Sequence, residues 1–338
     1  MIKKLLAILL ILLLFTLSCY VYIVKQVDNY LDQNLSIHEL QLITIQSGAS
    51  LNGTLSLLVN NGYIQEHFAT KLLRRLHPEL TQVKAGTYQL TPGMSLKKAL
   101  ALFISGREFQ FSITFVEGSR FNDWREILAS TPELRQTINT LSESEIAQKI
   151  GVDNQKLEGL FLAETYHFTK GELDVDILKR AHRKLQQTLT KAWDQRQPDL
   201  PLASPYEVLI LASIIEKETA IDSERKRVAS VFINRLNKRM RLQTDPTVIY
   251  GMGERYDGRI RKADLREVTP YNTYVINGLP PTPIAMAGEA SIYAAINPEQ
   301  SDYLYFVASG RGDHVFSKTL TEHNRAVRAY LRQLRNQQ

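Results

Sequence analysis

Residues 204–220 read SPYEVLILASIIEKETA. Ser204 is a natural N-cap and Pro205 suits the first helical position. From Val208 to Ile215 the run is nearly all apolar, and a helix apolar on every face belongs in a protein interior. The stretch therefore predicts the buried central helix of a globular domain. Its last turn carries Glu216 and Glu218. Glu218 shares a stripe with Leu211, Ile214 and Ile215. A carboxyl held against aliphatic side chains resists ionisation, so its pKa rises and it becomes a candidate general acid. Glu216 has an apolar stripe of its own, Leu209, Ala212 and Ser213. A charged last turn emerging into solvent is the plain alternative, and it suits Glu216 better than Glu218. Helix geometry alone does not choose between them.

Outward from this helix, the periodicity predicts further helices at 121–130, 143–150, 175–195 and 223–239, strands near 272–276 and 303–308, and a final helix over 319–335. The segment GLPPTPI at 278–284 is too proline-rich for either and reads as a loop. Upstream lies a weak internal repeat. GASLNGTLSL (48–57) and GMSLKKALAL (93–102) both fit G-x-S-L-x-x-x-L-x-L. Each follows a strand-like stretch, LITIQ (42–46) or GTYQL (86–90). Ser50 and Ser95 are placed as N-caps, Gly62 and Gly106 as left-handed helix ends. A helix around 64–76 lies between the two units. The fold class is α+β. The reading divides the chain into a cytoplasmic start and anchor (1–25), a polar spacer (26–38), a small α+β domain (39–112) and a larger α+β domain (113–338).

The anchor is LLAILLILLLFTLSCYVYIV, residues 5–24, without a charge. A helix of that length spans roughly 30 Å, a bilayer's hydrocarbon core. Lys3 and Lys4 precede it, Lys25, Asp28 and Asp32 follow, and Tyr20 and Tyr22 sit near its far end. This pattern places the N-terminus in the cytoplasm and the rest outside. A cleaved signal peptide is the rival, but no small-x-small cleavage site follows. Cys19 is the only cysteine, so no internal disulfide is available. The net charge of +6 suits an acidic surface partner such as anionic lipid or polymer. No nucleic-acid motif occurs, and the anchor argues against that partner.

The common catalytic patterns are missing: there is no HExxH or other metal-ligand spacing, no GxSxG elbow and no P-loop. Ser95-Leu-Lys-Lys98 matches Ser-x-x-Lys, but without a Lys-Thr-Gly companion Ser95 is better read as a helix cap. Three stretches are rich in groups suited to sugar: RLQTDPTVIYG (241–251), TPYNTYVINGLPPTPI (269–284) and DYLYFVASGRGDHVFS (302–317). Gln243, Thr244, Tyr271, Asn272, Thr273 and Tyr274 are the candidate sugar-binding side chains. Turn chemistry alone also explains Asp245-Pro246 and Pro270.

LASIIEKETA (211–220), VASVFINRL (228–236), RLQTDPTVIYG, YNTYVINGLPP (271–281) and YLYFVASG (303–310), followed by HVF (314–316), together resemble the endolytic murein transglycosylases of the YceG-like type. The resemblance covers nearly the whole chain. It implies that the small domain is LysM-like and binds peptidoglycan. It also implies that the second glutamate of Glu-Lys-Glu, Glu218, is catalytic. The reaction would cut MurNAc-β-1,4-GlcNAc bonds in nascent strands and leave 1,6-anhydro ends, with peptidoglycan synthases as partners and no metal or cofactor. One departure stands out. A Phe-Pro-Asp-Thr-Tyr stretch is common in the family, and here Leu162-Ala163-Glu164-Thr165-Tyr166 takes its place, so Glu164 reads as structural or substrate-positioning. Two alternatives remain: a muramidase using Asp245 or Glu216 as second carboxylate, and a silent wall-binding scaffold.

Overall fold

The structure, a computed structural model, describes residues 1–153 and 156–337. The chain divides into two compact units, Met1–Phe111 with Phe168–Lys170, and Ser112–His167 with Gly171–Gln338. Both mix helices with small sheets.

The first unit opens with α1 (Ile2–Asp32), one helix long and apolar enough to cross a membrane. Its apolar length, from Leu5 through Tyr22, is exposed. The sequence alone reads 26–38 as a polar spacer. In the structure α1 continues to Asp32, and Val27, Tyr30, Leu31, Leu35 and Ile37 enter the core of the small unit. Five apolar side chains spaced among polar ones make a half-buried segment, which average polarity conceals.

Next come β1 (Gln41–Ile45), α2 (Leu51–Asn60), α3 (Ala69–Leu76), β2 (Gly86–Leu90) and α4 (Leu96–Ser105). The two strand–helix repeats meet through their strands: β1 and β2 pair antiparallel, from Gln41 opposite Leu90 to Ile45 opposite Gly86. Ser50 Oγ accepts from Gly53 N at 3.2 Å and Ser95 Oγ from Lys98 N at 3.4 Å. Both serines are thus N-caps, the reading the sequence favours for Ser95. Gly106 ends α4 at φ 71°, which a glycine adopts without steric cost. The intervening helix α3 starts at Ala69, later than periodicity suggests.

The second unit contains all but the first residue of β3 (Phe111–Thr114), α5 (Phe121–Ala129), α6 (Glu143–Ile150), all but the last residue of β4 (Thr165–Phe168), α7 (Asp174–Asp194), α8 (Pro205–Glu218), α9 (Asp222–Asn237), α10 (Asp245–Met252), α11 (Glu289–Ile296), β5 (Tyr305–Ala308), β6 (His314–Ser317) and α12 (Leu320–Gln337). β3 pairs with β4, and β5 pairs antiparallel with β6. The central helix α8 packs against α7, α9, α10 and α11, and every residue from Val208 to Ile215 is buried. The proline-rich loop is ordered against it: Ile284 N donates to Ser213 Oγ at 3.0 Å, and Ile284 and Ala285 are buried. Residues 272–276 form turns rather than the strand expected from their β-branched and aromatic content. The Asn272 side chain captures the local backbone there and competes with a ladder.

Candidate active site

α8 ends at Glu218, because Thr219 turns to extended backbone (φ −148°, ψ 134°). The last side chain of a buried helix is thereby delivered to the rim of a cleft of about 360 Å³. Val231, Phe232 and Arg235 of α9, the segment Leu242–Asp245, Tyr274, Tyr305 and Phe306 of β5, and Leu320 and His323 of α12 line the rest. Thr244 Oγ1 donates to Glu218 Oε1. Burial pushes the Glu218 carboxyl up to about 7, and nearby Asp245 adds to the rise. The Thr244 hydrogen bond and the electrostatic influence of His314 and Arg235 hold it back. Near neutral pH the group is divided between acid and carboxylate, which is what a proton donor that must later accept a proton requires.

Glu216 is differently placed, and the choice that helix geometry left open now resolves. Glu216 Oε2 accepts from Gly288 N, the N-cap residue of α11, at 3.0 Å. Its Oε1 lies 3.6 Å from Arg225 Nη2, and the side chain is only 5% exposed. It fastens one helix terminus to another and lies outside the cleft lining.

The candidate sugar-binding residues divide into three groups. Gln243, Thr244 and Tyr274 line the cleft with Glu218. Asn272 and Thr273 are buried beneath it. Asn272 Nδ2 donates to the carbonyls of Asp264 and Glu267 at 3.0 and 2.7 Å, and Tyr274 N donates to Asn272 Oδ1 at 3.0 Å. Thr273 Oγ1 accepts from Thr244 N at 3.0 Å and lies 2.8 Å from Thr247 Oγ1. These two residues hold Thr244 and Tyr274 in place. Tyr271 lines a separate cavity, and its hydroxyl lies 2.8 Å from Thr282 Oγ1. Of the acids left open by sequence, Asp245 accepts from the Tyr274 hydroxyl at 2.6 Å. Glu164 pairs with Lys184 and is not part of the cleft lining. No group of three or more potential metal ligands occurs among the described residues.

Arg235 and His323 also line the cleft, although the sequence reading did not single them out as site residues. Arg235 is 7% exposed, and its guanidinium donates to the carbonyls of Leu304, Arg241 and Leu242 at 2.7, 3.2 and 2.9 Å. It sits 5.0 Å from the Tyr305 ring centre. Gln243 adopts φ 50°, unusual for a residue with a side chain, and its Oε1 lies 3.4 Å from Arg235 Nη1. His314 Nδ1 lies 2.7 Å from Glu224 Oε2. His323 stacks on Tyr305, and burial lowers its pKa, with the charge of Arg235 acting the same way. Arg235 and His314 fall inside quoted motifs, but dozens of residues separate the partners, so spacing alone does not unite them.

The model of the YceG-like family matches residues 43–329. The chain belongs to the YceG-like family. It is 33% identical over 306 residues to a Bacillus subtilis (strain 168) protein named endolytic murein transglycosylase, an alignment covering 86% of this chain and 84% of that one. A Streptococcus pneumoniae (serotype 2, strain D39) protein of the same name is 26% identical over 305 residues, covering 80% of this chain and 54% of that one. A crystal structure of a YceG-like protein from Listeria monocytogenes is similar with a TM-score of 0.52 at 31% identity, covering 86% of this chain and 99% of that one.

Proposed function

We propose that this YceG-like protein is a membrane-anchored endolytic murein transglycosylase that cuts MurNAc-β-1,4-GlcNAc bonds, with Glu218 as its acid and base. One observation carries the reading: a single carboxyl, poised near neutrality by burial, projects from a rigid helix end into a polar cleft. Protonated Glu218 donates to the glycosidic oxygen as the bond from C1 breaks. The resulting carboxylate then takes the proton of the MurNAc 6-hydroxyl, whose oxygen bonds to C1. The product is a 1,6-anhydro end, and Glu218 is protonated again. The nucleophile belongs to the substrate, so one carboxyl suffices. An ordinary glycosidase needs two at a set separation. The other carboxylate lining the cleft, Asp245, is engaged by Tyr274.

The apolar α1 supports a single-pass anchor with the N-terminus in the cytoplasm and the catalytic unit outside. The small unit, with two strand–helix repeats joined at their strands, is read as LysM-like and glycan-holding. Confinement at the membrane puts cutting next to newly made strands, which suits termination of elongation beside peptidoglycan synthases. The test is mass spectrometry of the products from purified murein. Anhydro ends are expected. Reducing ends bearing added water would replace this reading with a muramidase, and binding without cleavage would replace it with a scaffold.

Three further outcomes are expected. The cleavage rate should fall about tenfold per pH unit above roughly 7, because the donor must be protonated. Thr244→Val removes a hydrogen bond that lowers the pKa of Glu218, so the alkaline limb should move to higher pH, as read in a pH–rate profile. Glu164→Gln breaks only a partly exposed ion pair with Lys184, so initial rates of murein release should stay within about twofold of the native value.

A further inference from the structure

α10 joins two cavities of the second unit. Asp245, its first residue, lines the Glu218 cleft, while Tyr250 and Gly251 near its other end line a second cavity of about 310 Å³. Along the axis Asp245 and Tyr250 are about 8 Å apart, at 1.5 Å per residue. An extended peptide covers that distance in about two to three residues.

The second cavity carries the Arg120 guanidinium and the Glu158 carboxyl, which attract one another without a salt bridge among the described residues, and Lys156 also lines it. The Arg120 guanidinium lies 5.3 Å from the centre of the Tyr250 ring, and no carboxylate among the described residues pairs with it. Glu158 is 8% exposed and accepts from Phe121 N at 3.1 Å. No described residue hydrogen-bonds its other carboxylate oxygen. Burial pushes this carboxyl up to about 7, so an incoming ammonium would favour its ionised form. Glu143, also in the lining, is already engaged by Leu157 N. The Tyr271 ring meets Tyr250 edge-on at 4.8 Å.

A neutral sugar is poorly matched here. Arg120 already lies over one face of the Tyr250 ring, and two ionic groups would be desolvated against hydroxyls. A short peptide bearing both a carboxylate and an amine satisfies Arg120 and Glu158 together. Murein glycan carries such peptides on its MurNAc residues.

We infer that the Arg120–Tyr250–Glu158 cavity is a subsite for the peptide stem of the strand being cut, binding its carboxylate at Arg120 and its free amine at Glu158. This rests on the proposed transglycosylase reading and extends it: the substrate is peptide-bearing glycan rather than bare glycan.

The test uses the full-length chain in detergent with two substrates, peptide-bearing murein glycan and the same material stripped by an amidase. The native chain is expected to cut the first at least about tenfold faster. Arg120→Gln and Glu158→Gln should each bring that ratio towards one, with thermal melts confirming that they fold. A native ratio near one, a ratio unchanged in both variants, or variants that slow both substrates alike would each overturn the subsite. The last outcome would mark a sugar site. A binding arm separates this failure from failure of the proposed reaction. The tripeptide L-Ala-γ-D-Glu-L-Lys is titrated by NMR into the Glu218→Gln chain with and without Arg120→Gln. Saturable binding that Arg120→Gln weakens at least tenfold upholds the subsite even if neither glycan yields anhydro ends, and absence of saturable binding rejects it.

Discussion

Glu218→Gln is expected to lower the rate of anhydro-end formation by on the order of 10³-fold or more, because the proposed reaction assigns both proton transfers to this one carboxyl. Glutamine preserves the length of the side chain and its hydrogen bond to Thr244, so glycan binding should persist. The same substitution should stabilise the fold, in a pH-dependent way. Folded Glu218 titrates near 7 against an ordinary value of 4.5. Its favourable contribution is complete below the unfolded pKa and is lost as pH rises through the folded one. Above pH 7 the native chain thus bears a penalty of up to about 3 kcal/mol that glutamine lacks. Urea unfolding at pH 8 should show a higher midpoint for Glu218→Gln, and at pH 4 the two midpoints should coincide. Coincident midpoints at pH 8 would mean that the carboxyl is better solvated than its surroundings indicate.

The second large effect belongs to Arg235. Its guanidinium is the shared donor for the carbonyls of Leu304, Arg241 and Leu242, tying α9 to the chain leading into β5 and to the segment that carries Gln243 and Thr244. Arg235→Met fills much of the same volume but leaves these acceptors without a donor, at a cost of about 1–3 kcal/mol for each that stays buried. A total loss of about 3–5 kcal/mol is expected in urea unfolding. Activity should fall as well, since Thr244 loses its support and the charge that lowers the Glu218 pKa disappears. The pH–rate profile of any folded fraction should therefore shift to higher pH. Arg235→Lys keeps the charge but presents one compact head instead of a planar fork, so it should recover only part of the stability. Full stability in Arg235→Met would show that water replaces the lost donors.

The helices were legible where pattern and caps agree. Ser50, Ser95 and Ser204 mark N-termini by a mechanism confined to four consecutive residues. The Val208–Ile215 run predicts its own burial by composition. The turns at 272–276 were misread as strand because their side chains have strand propensity. The outcome there depends on Asn272 finding carbonyls of residues 264 and 267, a contact that local propensity does not contain. Residues 26–38 were misread because their apolar positions are buried only by the strands and helices that arrive later in the chain.

The candidate site followed the same division. Sequence by itself determined that a buried helix ends in two glutamates, that the flanking loops carry amides, hydroxyls and aromatics, and that an apolar segment precedes them. These are properties of composition and short-range order. Only the tertiary structure decided which glutamate meets the cleft, that Asn272 and Thr273 support while Gln243, Thr244 and Tyr274 line it, and that Tyr271 belongs to another cavity. It also brought Arg235 and His323 beside Glu218. The physical reason is that a pKa, a cleft and a hydrogen-bond partner arise from groups far apart in the chain. Their proximity exists only after the core has packed and water has been excluded from between them.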